Sequence, residues 1–462
     1  MNMSAVNLRV VCYRPPRRSR TLEVFLKRPT FDSKAQVVAQ EILSDIAHRG
    51  LPAVLAAVSR IDKVSLRATE LRISEREFEA ADSALGEEVK ARIREAHDRV
   101  AEFARKSMRP NWSMKTPNGG VLGELFRPLE RVGVYVPGGT APLASTVIMT
   151  ATLAQVAGVP EIVACTPCAK DKTVRPEILY AMKLCGIREA YRIGGIQAIG
   201  LMAYGIRHTE PVQKIVGPGN AFVTAAKQLV YGTVALDLVA GPSEIAILAD
   251  DSMNPDWIAA DLLSQAEHGS GFERSLFITD SEAFAQKVSD AIAKRIPKMS
   301  RKDKVMKVIE NFGILLLAVP SIEVGLSVIN RFAPEHFELM VKDPERYLPH
   351  VKSSGAVFVG PWTPESAGDF AAGPSHVLPT GGAGHMFNGL TVEDFRHRTS
   401  MVQYTEKDLS DALPIIRTFS DIEGLDGHRW AGDVRFNQGA ESAIGEDGAD
   451  AGRDSDAQPE RN

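Results

Sequence analysis

The sequence predicts an α/β protein built on two parallel sheets. Short β-branched runs recur from residue 131 onward, helical stretches separate them, and the same alternation repeats in a second block after residue 244. Strands separated by helices need crossover connections, and right-handed crossovers make parallel sheets.

The elements follow in order. At 34–49, Val38, Ile42 and Ile46 recur at i, i+4 and i+8 and Gly50 closes the run, which predicts an amphipathic helix. Ser74-Glu-Arg-Glu77 is a capping box that opens a second helix, and 87–108 sets Val89, Ile93, Val100 and Phe103 on one side of a third. The first hundred residues are therefore expected to be helical. The first strand block comprises 132–136, 161–165, 190–193 and 214–216, with helices at 145–158 and 176–184. The second comprises 245–249, 275–279, 314–318 and 356–359, with helices at 255–266, 282–295 and 322–332. Past Gly389 the pattern is mixed, with short helices expected at 407–413 and 421–432.

Composition bounds the function. A chain of 462 residues with 44% hydrophobic content is long enough for more than one core. Its 54 basic and 58 acidic residues give a net charge of −4 without a long basic block, which argues against a nucleic-acid partner. Four cysteines are too sparse for a disulfide framework, so a reducing, cytoplasmic setting is expected. Cys165-Thr-Pro-Cys168 reads as a strand end plus a turn, because no second CxxC completes a zinc cage. No apolar run reaches the roughly eighteen residues of a membrane span. Residues 1–30 form a basic arm, with Arg9, Arg14, Arg17, Arg18 and Arg20 and no acid in the first twenty; packing on a partner subunit is expected over a targeting role. Residues 439–462 hold seven acids and two bases and almost no large apolar side chain, the composition of a disordered tail.

Candidate chemistry starts at Gln265 and His268, three apart in a segment read as helix and so on one face of it. An amide oxygen and an imidazole nitrogen can supply half of a four-ligand metal site. Gly269 and Gly271 would end the helix and admit close approach. Glu335 and His336 are adjacent, and both can reach one reaction only from a turn; together they could divide acid and base duties. The strand at 356–359 leads into a Gly/Pro-dense loop, 360–382, that holds Asp369 as a third possible ligand and His376 as a polar contact. Ligands of open α/β sheets lie beyond the carboxyl ends of strands, which places these loops in the expected region. There is no G-x-G-x-x-G, yet Gly194-Gly-Ile-Gln197 and Gly217-Pro-Gly-Asn220 are glycine turns that open helices. Taken singly, each has a plainer reading as a solvated polar residue or an ordinary turn.

Together the motifs resemble the histidinol dehydrogenase family. Val134-Tyr-Val-Pro-Gly-Gly139, Gly194-Gly-Ile-Gln197, Gly217-Pro-Gly-Asn220, Ala240-Gly-Pro-Ser243-Glu, Ser264-Gln-Ala-Glu-His268, Ala333-Pro-Glu-His336, Gly368-Asp369, His376-Val-Leu-Pro-Thr-Gly and Glu423-Gly-Leu-Asp-Gly-His428 follow its order over about residues 130–430. The resemblance implies two incomplete Rossmann-like domains of the histidinol dehydrogenase and aldehyde dehydrogenase-like kind. The first would take 31–132 and 245–385, and the second, NAD-binding, 133–244; a C-terminal helical dimer element would take 386–438. It implies one zinc per subunit on Gln265, His268, Asp369 and His428, with His428 supplied by the second subunit of a homodimer. It further implies NAD on Tyr135, Gln197 and Asn220, and Glu335 and His336 as the acid–base pair. Substrate would touch Ser243, His376 and Glu423, together with His336 and the four metal ligands. The implied reaction is NAD-dependent oxidation of L-histidinol through bound L-histidinal to L-histidine, the last step of histidine biosynthesis. Pro374-Ser-His376 and Gly384-His-Met-Phe-Asn-Gly389 depart from the family pattern. They keep open a related dehydrogenase acting on another polar alcohol, such as a sulfopropanediol. A zinc hydrolase is the alternative of another class; it would need no nicotinamide.

Overall fold

The computed structural model describes residues 8–28, 33–138, 143–206, 209–239 and 241–436. The acidic tail expected at 439–462 and the outermost residues of the arm lie outside these. The chain divides into two compact units, one of residues 1–109 with 127–397 and one of 110–126 with 398–462.

The larger unit contains both predicted sheets, and both are parallel. The six-stranded sheet runs, edge to edge, Val10–Cys12, Ile314–Ala318, Arg274–Thr279, Glu244–Ala249, His336–Met340 and Ala356–Val359. The five-stranded sheet runs Glu189–Tyr191, Glu161–Cys165, Arg131–Tyr135, Lys214–Val216 and Ala235–Leu236. Central strands such as Glu244–Ala249 and Ile314–Ala318 are buried along their whole length, which is why they read as continuous apolar runs.

The helices of the first hundred residues form where the sequence sets them. Ser33–Arg49 buries Ala35, Ala39, Ile42, Leu43 and Ile46, and Ser74 completes its capping box with Glu77 at the start of Glu75–Ala84. Their location differs from the expected partition. Ser33–Arg49 packs in one core with helices Gly195–Tyr204 and Ala221–Val230, while Glu75–Ala84 and Glu87–Ser107 pack in another with Ala144–Ala157 and Pro176–Leu184. Residues 33–107 therefore clothe the five-stranded sheet rather than joining 245–385. An apolar stripe says that a helix face is buried but not against which sheet.

Three further differences bear on the site. The described part of the arm is built into the six-stranded lobe: Val10–Cys12 pairs with residues 316–318, and helix Arg20–Leu26 buries Leu22 and Phe25. His336–Met340 is a fully buried strand, hidden in the sequence by its polar His336 and Glu338. The loop at 360–382 contains a short helix, Glu365–Phe370.

The smaller unit holds an antiparallel hairpin of Trp112–Lys115 with Val121–Pro128, joined at its other edge by Arg396–Gln403. Helices Glu406–Glu423 and Asp426–Asp433 follow; the first is capped by Thr405 and carries Pro414 inside, so it runs well past the expected 407–413. Asp408 fastens that helix to the hairpin turn by accepting from the Gly120 N–H at 3.2 Å.

Candidate active site

The site is assembled at the start of two neighbouring strands. Ser243 immediately precedes Glu244–Ala249, and Glu335 immediately precedes His336–Met340. These strands pair in parallel, His336 opposite Ile245, so both chains enter the sheet at one edge. This is the amino edge, opposite to the carboxyl edge expected for ligands of an open sheet. Glu335 and His336 follow helix Ile322–Phe332, whose cap Ala333 sits in the left-handed region at φ 43°. The turn expected from their adjacency is thus a helix-to-strand corner.

Glu244 holds the pair through its backbone. Its N–H donates to Glu335 Oε2 at 2.9 Å, and its carbonyl accepts from His336 Nδ1 at 3.0 Å. A carbonyl can only accept, so Nδ1 carries a proton, and the proton that the ring gains or loses is exchanged at Nε2. Nε2 is buried without a hydrogen-bond partner and lies 3.7 Å from Asp369 Oδ1. Burial alone would push the His336 imidazole down, but the carboxylates of Glu335 and Asp369 hold it above its usual range. Burial pushes the Glu335 carboxyl up to about 8, against the pull of His336 and of the Glu244 N–H.

Gln265 lies one residue before the end of helix Pro255–Ala266, while His268 lies past that end, turned back so that its Nδ1 is 3.5 Å from Gln265 Nε2. Its Nδ1 also lies 3.0 Å from Ser243 Oγ. The two glycines that follow take φ of 98° and 84°, as a chain leaving a helix in the left-handed region requires. Asp369 sits on the short helix Glu365–Phe370, and its backbone carbonyl lies 3.2 Å from His376 Nδ1.

His268, Glu365 and Asp369 each offer a ligand atom within 4.8 Å of the others, a group able to hold a metal ion. Gln265 Oε1 is buried and has no hydrogen-bond partner. Such an atom is costly unless something is bound to it. Nitrogen and oxygen donors of this kind fit zinc or a similar divalent cation. Glu365 was not among the residues expected from sequence. Its carboxylate is buried, accepts from Ser264 Oγ at 2.6 Å, and is pushed up to about 7 by burial and by the charge of Asp369. Its signal was its place four residues before Asp369, one helical turn away, in a segment read as loop. Behind it stand two more acids, the buried Glu338 and the half-buried Asp261. Glu338 accepts the Glu365 N–H at 2.8 Å and is raised well above the carboxylate range by burial, then by Asp261.

A second cluster gathers at the carboxyl edge of the five-stranded sheet. Tyr135 ends strand Arg131–Tyr135, Gln197 follows Glu189–Tyr191, and Asn220 follows Lys214–Val216. From Arg131–Tyr135 the chain builds outward to 161–165 and 189–191, then crosses back to 214–216, so the order reverses beside Tyr135. Dinucleotides bind at such switch points. The Gly195 N–H donates to the Tyr135 hydroxyl at 3.1 Å. Gln197 is buried, donates to Asp62 Oδ2 at 2.9 Å, and leaves Oε1 without a partner. Asn220 caps helix Ala221–Val230, its Oδ1 accepting from the N–H groups of Phe222 and Val223 at 3.0 and 3.1 Å. Gly217 has φ 116°, and a Cβ there would lie 2.2 Å from the Tyr135 carbonyl. Lys227 and Asp237 lock this glycine, the ammonium donating to its carbonyl at 3.0 Å and the carboxylate accepting its N–H at 2.7 Å. A polar orphan beside a tight glycine turn at a helix N-terminus fits NAD.

A family model described as histidinol dehydrogenase matches residues 26–436. The chain belongs to the histidinol dehydrogenase family. It is accordingly an oxidoreductase of the histidinol dehydrogenase type. The histidinol dehydrogenase of Heliobacterium mobile is 39% identical over 415 residues, covering 90% of this chain and 97% of that protein. The one from Rhodopseudomonas palustris is 40% identical over 403 residues, covering 87% and 93%. Among solved structures, histidinol dehydrogenase from Elizabethkingia anophelis superposes with a TM-score of 0.87 at 34% identity, covering 92% of this chain and 98% of that one. Of the residues implied by the family resemblance, Ser243, Gln265, His268, Glu335, His336, Asp369 and His376 lie in the larger unit, linked by the contacts above. Glu423 and His428 lie in the smaller unit, at the end of helix Glu406–Glu423 and on Asp426–Asp433, with exposed side chains.

Proposed function

We propose that the protein oxidises L-histidinol, through bound L-histidinal, to L-histidine, the last step of histidine biosynthesis. In this reading it is a cytoplasmic homodimer with one zinc ion per subunit and NAD as acceptor. The observation that carries the reading is His336 Nε2, a buried ring nitrogen with no hydrogen-bond partner, next to Asp369 and beside a carboxyl that burial raises to about 8. Gln265, His268 and Asp369 would hold zinc with His428 of a second subunit, and Tyr135, Gln197 and Asn220 would hold NAD. When bound, zinc anchors and polarises the substrate's donor atoms and NAD accepts the hydrides.

The chain's own groups move the protons. His336 Nε2 accepts the carbinol proton, and its Nδ1–H, fixed on the Glu244 carbonyl, keeps the ring aimed as charge develops. Glu335 accepts a proton from the water that adds to the aldehyde; a carboxyl raised toward neutral pH is a far better base than an ordinary one. His336, its first proton released, serves again on the hydrate. Ser243, His376 and Glu423 would orient the substrate.

Two features support the assembly and the setting. Ile415, Phe419 and Ile422 form an exposed apolar stripe on helix Glu406–Glu423, and Trp430 is exposed on the next helix, surface that a second subunit would cover. Cys12, Cys165, Cys168 and Cys185 are all free thiols, as a reducing compartment requires, and no described helix is long and apolar enough to cross a membrane. The test is a steady-state assay of the purified protein with L-histidinol and NAD, with histidine and bound zinc measured alongside. Two NADH per histidinol are expected, with turnover and zinc lost together on chelation. One NADH per alcohol, or activity undiminished in zinc-free protein, overturns the reading.

A further inference from the structure

Glu244 hydrogen-bonds both members of the acid–base pair through its peptide groups, while its carboxylate bears on Glu335 only as a neighbouring negative charge. Its side chain points to a different task. The carboxylate, 2% exposed, is gripped by Arg28, with Nε to Oε1 at 2.6 Å and Nη2 to Oε2 at 3.2 Å. The same Nη2 donates to the carbonyl of Phe332, and the guanidinium lies over the Phe332 ring at 4.1 Å from its centroid. Phe332 is the last residue of helix Ile322–Phe332, and the left-handed Ala333, then Pro334, carry the chain into Glu335.

One guanidinium thus spans two places, the strand start whose N–H and carbonyl receive Glu335 and His336, and the helix end from which Glu335 and His336 emerge. A planar fork can hold a carboxylate and a carbonyl at a fixed separation, which a lysine ammonium on a flexible stem cannot do. Ala333, a non-glycine residue at φ 43°, sits in a conformation that persists only where its surroundings enforce it. We propose that Arg28 and Glu244 are positioning residues, setting the distance between the helix-to-strand corner at 332–335 and the edge of the sheet, and so the aim of the Glu335–His336 pair. The N-terminal segment thereby acts on catalysis without touching substrate. The proposal rests on the acid–base reading of Glu335 and His336.

The test compares Arg28→Met, Arg28→Lys and Glu244→Gln with wild type, each alone and in a His336→Asn background. A shift of about an ångström in a reacting group costs on the order of 10²-fold in rate. Arg28→Met and Glu244→Gln are expected to lower kcat by about ten- to a hundredfold, with KM for alcohol and for NAD and the bound zinc within about twofold of wild type. Arg28→Lys should fall between, and it carries the test if Arg28→Met does not fold. In the His336→Asn background the same changes should cost clearly less than in the wild type, because the part of a positioning effect that acts through His336 vanishes with that group and only the part through Glu335 remains. Wild-type kcat in folded Arg28→Met and Arg28→Lys overturns the proposal. So does a loss that multiplies in full with that of His336→Asn, since that marks a general structural defect. The acid–base reading fails separately, by wild-type kcat in His336→Asn itself.

Discussion

Glu335 and His336 are sequence neighbours placed in different roles by what each touches. His336 enters the strand and gives its Nδ1–H to a carbonyl, so one nitrogen is committed to orientation and the other is free for protons. Glu335 stays outside the strand, accepts one N–H, and is raised by burial to about 8. If His336 serves both oxidations and Glu335 only the water step, the two can be separated by substitution. Glu335→Gln should slow formation of the acid by roughly 10²–10⁴ while the first oxidation persists. Single-turnover mixing should then yield one NADH per site in a fast phase, where the wild type yields two. A fast phase of two in the variant would sink the assignment. At this scale the sequence names the candidates, and the structure gives the contacts that link them. Adjacent Glu and His, or Gln and His three apart, read alone as solvated polar residues, and it is the ordered set of motifs shared with the family that singles them out. Glu365 and Glu244 were not legible, for a physical reason. A buried carboxylate looks like a surface one in sequence, and only packing shows that Ser264 and Arg28 pair with them.

Elements were read from periodicity, so the long, regular ones are where the sequence puts them. Ser33–Arg49, Pro255–Ala266 and Ile322–Phe332 each match their expected span to within a residue. What periodicity cannot carry is adjacency. It did not say that Ser33–Arg49 lies on the five-stranded sheet, nor that His336–Met340, with two polar residues in five, is a strand beside Glu244–Ala249. The two candidate clusters stand at opposite edges of their sheets. The Tyr135, Gln197 and Asn220 cluster is at the carboxyl edge of its sheet, whereas Ser243, Glu335 and His336 stand at the amino edge of theirs. Helix Ala221–Val230 separates structural from ligand effects at Asn220, whose carbonyl oxygen caps it. Asn220→Ala removes the cap and should cost about 1 kcal/mol of stability as well as NAD affinity. Asn220→Asp keeps a capping oxygen but sets a negative charge where a pyrophosphate would lie. Its thermal midpoint should stay close to that of the wild type while KM for NAD rises by tenfold or more. An unchanged KM for NAD in Asn220→Asp would remove this turn from the cofactor site.

At the scale of the molecule, the residues of the proposed site belong to two units of one chain. Of those proposed for metal, substrate and proton transfer, seven stand in the larger unit, and Glu423 and His428 stand exposed in the smaller one, on helices that also expose Ile415, Phe419, Ile422 and Trp430. In the proposed homodimer His428 completes the partner's metal site rather than its own, and this has a consequence that no monomeric enzyme shares. Glu335→Gln and His428→Asn should each be nearly inactive alone. When the two are unfolded together and refolded as a mixture, about half of the dimers combine one of each. In such a dimer the His428→Asn subunit keeps its own Glu335 and receives an intact His428 from the other, so one of its sites is whole. Activity should return to about a quarter of the wild-type level, with zinc bound at the restored sites. If His428 served its own subunit, each site in the mixed dimer would carry one defect and nothing would return. The outcome therefore tests sharing itself, apart from whether the chain dimerises, which sedimentation of each variant establishes independently.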